Sequence, residues 1–174
     1  MFRLPYRSAR REPIPRAAGA VQDLDDVDYA DAYTVEITPG DSRSAEEWAR
    51  AILESLPRIP NAALLGLWSL FMRPGPPHSR DHVLGLRIRE RSPHAIVLQP
   101  DTKLGDIRLV LITESTERQT WLHLASFGRF GGWQGRVGWA FIGPLHRRVA
   151  PLVLGRAAAL YASRQPVLRE ATVV

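Results

Sequence analysis

The feature that most constrains the fold is a series of short segments, mostly in the second half of the chain, in which apolar and polar residues alternate. In segment 82–91, Leu84, Leu86 and Ile88 fall on one side and three arginines fall on the other. An alternation with a period of two predicts a β-strand with one buried face and one solvent-exposed face. Further strands are predicted on the same grounds at 29–37, 94–99, 106–113, 120–127 and 137–142.

The connections between most of the later strands are short and polar, as at Pro100-Asp101 and at residues 115–118. Antiparallel neighbours can be joined by such short turns, whereas parallel strands need a crossover of about a dozen residues or more. The spacing therefore predicts an antiparallel sheet and argues against alternating βαβ units.

Two short helices are predicted after the first strand. The first begins at a capping box, in which Ser44 and Glu47 satisfy free backbone amides, and continues to about Leu56. The second is strongly apolar, covers residues 62–72 and ends before Pro74.

A long C-terminal helix is predicted to begin at Gly143-Pro144, because proline suits the first turn of a helix. Pro151 lies inside the apolar pattern and is expected to kink this helix. The apolar side chains that share one of its faces are Leu145, Val149, Leu152, Val153, Ala157 and Leu160.

Together these elements predict an α+β domain of helix-grip architecture, in which a curved antiparallel sheet of about six strands wraps around the long C-terminal helix. A curved sheet has a concave apolar face, and among the late elements the C-terminal helix is the one able to cover it. Because a sheet wrapped around one helix seldom fills completely, a cavity is expected between them.

The basic character of the chain is concentrated at its N-terminus. The net charge is +5, and residues 1–20 contain five arginines and one glutamate. We therefore predict a flexible basic arm at 1–20, a single domain at 21–164 and a loose tail at 165–174. Because the domain itself is nearly neutral and its aromatic residues do not interleave with a basic strand face, no nucleic-acid partner is expected.

The absence of cysteine excludes disulfides, thiolate metal sites and a cysteine nucleophile. The N-terminus lacks the apolar run of a secretory signal, and the most apolar stretch, 139–162, is interrupted by His146 and three arginines. The sequence thus predicts a soluble cytoplasmic protein without an integral membrane segment. The spacing of its histidines is not that of a zinc site, and we expect no metal and no cofactor.

Three segments carry a resemblance to a known family: Asp28-Tyr-Ala-Asp-Ala-Tyr33, Asp101-Thr-Lys-Leu-Gly-Asp-Ile-Arg108 and Gly135-Arg-Val-Gly-Trp-Ala-Phe-Ile-Gly-Pro-Leu-His-Arg147. In these segments and in the order of its elements, the chain resembles a bacterial family of unknown function within the helix-grip (START-like, SRPBCC) superfamily. That superfamily includes START-like lipid carriers and aromatic polyketide cyclases. The resemblance spans roughly residues 28–160 and implies a fold and a hydrophobic pocket, but no particular reaction.

His123 is the candidate catalytic residue. On its predicted strand Trp121, His123 and Phe127 share one face, while the polar Thr120 and Ser126 mark the opposite face as the outer one. The His123 ring would then lie in the cavity, where a neutral imidazole could act as a general base. The open alternatives are that the two faces are reversed, or that His123 is a hydrogen-bonded core residue.

The other candidate residues are expected to contact or enclose a ligand. Phe130 and Trp133 lie in a glycine-rich segment and are expected to gate the pocket mouth, with a plain hairpin as the alternative. His146 is expected to anchor the start of the last helix. The expected ligand contacts are Trp121, His123, Phe127, Trp139, Leu145, Val149 and Leu152.

Two functions from different classes fit these residues. The first is binding of a hydrophobic or amphipathic small molecule between the sheet and the C-terminal helix. The second is a cyclase, dehydratase or isomerase reaction with His123 as the general base. A third possibility is an interaction scaffold that uses the basic arm at 1–20. The sequence leaves the ligand, any reaction and the oligomeric state open.

Overall fold

A computed structural model describes residues 7–54, 72–73, 75–76 and 78–162. We number the helices and strands of these residues in chain order. They are β1 (Arg10–Glu12), α1 (Arg16–Val21), β2 (Tyr29–Ile37), α2 (Ala45–Glu54), β3 (His78–Ser79), β4 (His82–Val83), β5 (Leu86–Arg91), β6 (Ala95–Gln99), β7 (Gly105–Ser115), β8 (Thr120–Phe130) and α3 (Gly132–Ala162).

The strands form one curved antiparallel sheet in the order β1-β2-β8-β7-β6-β5-β4-β3. The longest pairings join β8 to β7 and to β2, so that Tyr29 lies opposite Gly128 and Ile37 lies opposite Thr120. The predicted antiparallel sheet is confirmed, although the described residues form eight strands rather than about six. The difference comes largely from β1, β3 and β4, which have two or three residues each and are too short to show an alternating pattern.

Helix α3 packs against β2, β8 and α2 and closes one face of the sheet, as in the helix-grip architecture predicted from the sequence. The predicted capping box of α2 is also present. The Ser44 amide donates to Glu47 Oε2 at 2.8 Å, and the Glu47 amide donates to Ser44 Oγ at 3.2 Å. The predicted helix at 62–72 lies outside the described residues except for Met72, which pairs with Thr102 in an isolated β-bridge.

The start of the C-terminal helix differs from the prediction. Residues 137–142 are not a strand, because α3 is a single helix of 31 residues that begins at Gly132 and contains Pro144. The glycines that suggested turns have another role here. At Gly135 a β-carbon would lie 2.1 Å from the carbonyl oxygen of Leu104. This glycine therefore lets the first turns of the helix pack directly on the backbone of the β6–β7 connection.

The prediction of a flexible arm at 1–20 is wrong for residues 10–20. Strand β1 pairs with β2, with Arg11 opposite Tyr33, and Ala18 of α1 is fully buried. The adjoining Asp23 is bound by Arg108, whose Nε lies 2.6 Å from Asp23 Oδ1. Sequence analysis missed this packing because arginine and proline hide the few apolar residues of the segment. The predicted tail at 165–174 lies outside the described residues.

The sheet therefore has a buried side chain layer on each face. The larger one lies under α2 and α3 and includes Val35, Trp48, Leu122 and Leu154. The smaller one lies under α1 and the segment that follows it. Within the part of the chain that the structure describes, no helix is both long enough and apolar enough to cross a lipid bilayer.

Candidate functional site

A cavity lies between the sheet and α3, on the larger core side. The centre of a water molecule can move through about 90 Å³ of it. Its walls come from α2, from the rim near Met72 and Leu84, from strands β6 to β8 and from α3. The lining side chains on the strands are Leu98, Ile107, Leu109, Leu111, Leu124 and Ser126, and those on α3 are Trp139, Ile142, Leu145, His146, Val149, Ala150 and Val153.

Two polar side chains, Ser126 and His146, stand in this otherwise apolar lining. Ser126 belongs to β8 and His146 to α3, and Ser126 Oγ lies 3.0 Å from His146 Nε2. Because the two groups are in contact, they form one polar site on the cavity wall, which we call the polar end. The rest of the lining is apolar, and we call it the apolar body.

Behind this polar end lies Asp31 of β2, whose side chain has no solvent exposure. Its Oδ1 is 3.5 Å from His146 Nε2, and its Oδ2 accepts a hydrogen bond of 2.5 Å from the Tyr29 hydroxyl. A buried carboxylate needs such partners, because transfer of an unpaired charge out of water is very unfavourable. Asp31, His146, Ser126 and Tyr29 together form what we call the polar cluster.

The sheet register explains why these side chains meet. Tyr29, Asp31 and Tyr33 occupy alternate positions of β2 and so project from the same face. Asp31 lies directly opposite Ser126 in the β2–β8 pairing. His146 then approaches from α3, which covers that face. Two of the segments that carry the sequence resemblance, 28–33 and 135–147, thus meet at Asp31 and His146.

Pro151 helps to dock α3 at the same place. Proline has no amide hydrogen, so the carbonyl four residues earlier, that of Arg147, has no donor within the helix. The Tyr33 hydroxyl donates to this carbonyl oxygen at 3.4 Å. A helix-breaking residue in α3 therefore provides an acceptor for a strand residue beside the polar cluster.

The electrostatics of the cluster favour an ionised Asp31. Burial alone would raise the pKa of Asp31, but the nearby His146 ring and the hydroxyl groups of Tyr29 and Tyr33 outweigh burial and hold the pKa below its usual value. Burial and the neighbouring Asp31 carboxylate raise the pKa of Tyr33 to about 12, and they raise the pKa of Tyr29 further. Both tyrosines therefore remain protonated hydrogen-bond donors at neutral pH.

The arrangement is not a Ser-His-Asp relay of the hydrolase type. In such a relay the serine and the aspartate bind different nitrogens of the histidine ring. Here Asp31 and Ser126 both approach Nε2 of His146. The Asp31 carboxylate holds the His146 ring in place. The Ser126 hydroxyl and the His146 imidazole therefore lie at the cavity wall. Among the described residues, no group of three or more acidic or histidine side chains could hold a metal ion.

The expected ligand contacts of α3 divide into two sets. Trp139, Leu145 and Val149 line the cavity. Leu152 does not, because 54% of its surface is exposed to solvent. It lies on the outer side of the helix, since the apolar pattern of α3 is not confined to one face.

The two expected gate residues do not cover the cavity. Trp133 is 71% exposed on the first turn of α3. Phe130 ends β8, and its ring packs against Trp139 with the ring centres 5.6 Å apart. The glycine-rich segment that suggested a mobile turn is divided between the end of a strand and the start of a helix, so no separate loop remains to act as a gate.

His123 lies on the opposite side of the sheet from the cavity, and the assignment of the β8 faces was wrong. Leu124 and Ser126 line the cavity, whereas Phe127 belongs to the smaller core. Thr120 and Ser126 were interpreted as marks of an outer face, but both are buried. Trp121, half-buried at the end of the strand, shares the His123 face.

The surroundings of His123 are those of a core residue. Its Nδ1 lies 2.8 Å from Thr34 Oγ1, and its Nε2 lies 3.6 Å from Glu114 Oε2. Burial lowers the pKa of His123, against the smaller opposing effects of Glu114 and Glu12. The ring is therefore neutral near pH 7 and bridges β8 to its neighbours away from the cavity.

Asp31 and Ser126 were missed as candidates, although the sequence contains a signal for one of them. In β2, Asp31 has the same parity as Tyr33, Val35 and Ile37, all of which are buried. An acidic residue at a buried strand position requires a partner. Ser126 gave no comparable signal, because a serine at a strand end is equally common on an exposed face.

One of the comparisons with known proteins identifies a family, and none of them gives an activity. The family model described as "Protein of unknown function (DUF2867)" matches residues 24–153. Among solved structures, the chain is similar to protein Ms6760 from Mycobacterium smegmatis, with a TM-score of 0.43 and 15% identity over 81% of this chain and 98% of that one. It is also similar to CalU16 from Micromonospora echinospora, with a TM-score of 0.32 and 14% identity over 92% of this chain and 99% of that one. None of the curated proteins matches the chain.

Proposed function

Since the chain belongs to the DUF2867 family, whose function is unknown, we propose from its own geometry that it binds a small organic molecule that is mostly apolar and has one polar group. The molecule would lie between the sheet and α3. The observation that carries this proposal is the distribution of side chains around the cavity: an apolar lining with Ser126 and His146 as the polar groups among the described residues.

The apolar body of the cavity favours binding through the hydrophobic effect. Side chains such as Leu109, Leu124 and Val149 offer a ligand no hydrogen bonds, so polar substituents along its length would be desolvated without compensation. Burial of apolar ligand surface contributes about 25 cal/mol per Å² before the costs of association. This excludes sugars and nucleotides as good ligands and favours hydrocarbon-like skeletons.

The polar cluster determines which chemical group the polar end of the ligand carries. Asp31 fixes the His146 ring and, being ionised, favours a hydrogen on Nε2. Ser126 contacts the same nitrogen and can direct its own hydroxyl hydrogen toward the cavity. A ligand carbonyl or hydroxyl oxygen fits this end. A second carboxylate beside Asp31 does not, because like charges repel at short range.

We also propose that the chain is a distant member of the START-like superfamily, on the basis of its element order and its sheet-and-helix cavity. The sequence resemblance described above supports this assignment, since its first and last segments meet at the polar cluster. A hydrophobic pocket is what that superfamily implies for this fold. The ligand itself has to be identified from the protein.

Filling the cavity is expected to abolish binding. Val149→Phe adds a ring to a lining position, whereas Val137→Phe makes the same change on the same helix at a position that is 47% exposed. We expect Val149→Phe to weaken binding of the apolar fluorophore N-phenyl-1-naphthylamine at least tenfold and Val137→Phe to leave it within twofold. Fluorescence titration measures both, and thermal unfolding establishes that both variants fold.

Equal affinities of the two variants and the parent protein would contradict the proposal, and so would a parent protein that does not bind the fluorophore. Native mass spectrometry of protein purified from its own host identifies a bound molecule directly. We expect the natural ligand to be a molecule that is found bound to the parent protein and is absent from samples of Val149→Phe.

The polar cluster favours a second candidate function, a cyclase, dehydratase or isomerase that moves a proton on the bound molecule. A carboxylate paired with an imidazole at the wall of an apolar cavity is typical of general acid–base sites. His146, rather than His123, would be the proton-transferring group. In heavy water an enzyme of this kind would introduce deuterium at carbon atoms of the ligand, and His146→Gln would stop it. If the protein only binds the ligand, the mass of the ligand stays unchanged with the parent protein and with His146→Gln.

A further inference from the structure

The outer side of α3 carries an apolar stripe exposed to solvent. Trp133 is 71% exposed, Val137 47%, Phe141 78% and Leu152 54%. The first three are separated by four residues each, so they lie along one side of the helix. That side is opposite to the one that lines the cavity. Exposed aromatic side chains at this density are uncommon on a soluble protein surface and indicate an interaction site.

The charged side chains that α3 itself carries are all basic. Helix α3 has no aspartate or glutamate in its 31 residues. Three arginines of α3, Arg136, Arg147 and Arg148, are exposed, and helical spacing places Arg148 on the side of the stripe. Arg136 has an acidic neighbour in Asp28, at 3.2 Å, while Arg148 is four residues before Leu152 and lies in line with it. The face as a whole is apolar, aromatic and basic.

We infer that this face of α3 binds peripherally to the surface of an anionic lipid bilayer. Tryptophan and phenylalanine insert favourably at the boundary between head groups and acyl chains, while arginines interact with lipid phosphates. The residues involved are exposed ones that do not line the cavity, so this inference does not depend on the proposed ligand.

A second copy of the chain is a poorer occupant of the same face. In a twofold dimer the same patch meets itself, so the arginines of one copy would face a patch of the same charge sign on the other. With no acidic residue on α3, the helix offers no compensating charge. An anionic bilayer satisfies both the apolar stripe and the arginines at once.

Co-sedimentation with vesicles tests the inference. The protein is expected to sediment with vesicles of phosphatidylcholine and phosphatidylglycerol, and not with vesicles of phosphatidylcholine alone. The double variant Trp133→Ser/Phe141→Ser should bind the anionic vesicles at least tenfold more weakly. Both side chains are exposed, and circular dichroism will establish that the variant folds. Val27→Ser, a change at another exposed apolar residue (37% exposed), is the matched control and should bind like the parent.

Charge reversal at a single residue tests whether vesicle binding uses this face of α3 or another part of the surface. Arg148→Glu changes the charge by two units and should weaken binding about 30-fold, since each unit of charge near an anionic surface contributes about 1 kcal/mol and about 1.4 kcal/mol corresponds to a tenfold change. Arg118→Glu makes the same change in the exposed turn between β7 and β8 and should have little effect. Failure to bind anionic vesicles, or equal binding by the Trp133→Ser/Phe141→Ser protein, overturns the inference. So does a parent dimer in analytical ultracentrifugation that this double variant converts to a monomer, because the face would then be a protein interface.

Discussion

Asp31→Ala is expected to lower the free energy of unfolding by about 3–5 kcal/mol, because it removes a fully buried carboxylate to which two side chains are bound. The Asp31 carboxylate accepts the Tyr29 hydroxyl hydrogen at 2.5 Å and lies 3.5 Å from His146 Nε2. Its loss leaves the partly buried Tyr29 hydroxyl and His146 imidazole without this acceptor. It also leaves a cavity where the side chain stood.

Urea denaturation at pH 7 measures this loss. Asp106→Ala is the matched control, because Asp106 pairs with Arg129 at the surface, where both side chains are more than 40% exposed. An exposed pair of this kind contributes little, so the control should unfold at nearly the same urea concentration as the parent. A midpoint for Asp31→Ala equal to that of the control would show that the carboxylate does not stabilise the fold.

The pH dependence follows from the direction of the pKa shift. The pKa of Asp31 is held below 3.8 in the folded protein, and an unfolded aspartate titrates near 3.9. The stabilisation by the ionised group is therefore complete above about pH 4 and is lost as the pH falls through the lower, folded pKa. The stability difference between the parent and Asp31→Asn should be constant at neutral pH and should shrink in acid. A difference that grows on acidification would contradict this.

Gly135→Ala is the second change with a large expected effect, and we expect it to lower the free energy of unfolding by about 2–3 kcal/mol. The added methyl group would lie 2.1 Å from the carbonyl oxygen of Leu104, a backbone atom that cannot rotate away. Alanine is favoured over glycine in a helix by about 1 kcal/mol, which offsets only part of the clash. The start of α3 would have to move off the β6–β7 connection.

Gly19→Ala is the control for this change, because Gly19 also lies in a helix and a β-carbon there would meet nothing within 4 Å. The control should be unchanged or slightly more stable in the same thermal and urea unfolding measurements. If Gly135→Ala were as stable as Gly19→Ala, the close packing of α3 on Leu104 would not be a constraint on the fold.

The fold was largely predictable because its strands alternate apolar and polar residues with a period of two. In the sheet, residues of the same parity do lie on the same face. The main error, at residues 137–142, arose because Gly135 was interpreted as part of a glycine-rich turn and Gly143 as the start of the last helix. In the structure, both are buried inside that helix. Glycine marks close backbone approach as well as turns, and the sequence does not distinguish the two when the approaching segment, here Leu104, is 31 residues away.

The candidate site was less predictable, because the inner and outer faces of β8 were exchanged. Alternation shows which residues of β8 share a face but not which face is inside. Ser126 was taken as an outer residue because it is polar, whereas it is 2% exposed and contacts His146. Polar residues at a site violate the rule that polar side chains lie outside, so the rule fails at the positions that matter for function. The parity of Asp31 in β2 contained the correct information.

Helix α3 has a mechanical consequence, since one continuous helix forms both a cavity wall and the exposed apolar stripe. At about 1.5 Å per residue it is roughly 46 Å long. Proline lacks an amide hydrogen, so two backbone hydrogen bonds are missing at Pro144 and Pro151 and the helix bends most easily there. Pro144 lies between the exposed Phe141 and Val149 in the cavity wall. The helix is thus anchored near Leu104 at its start, and its two bending points lie beside the cavity.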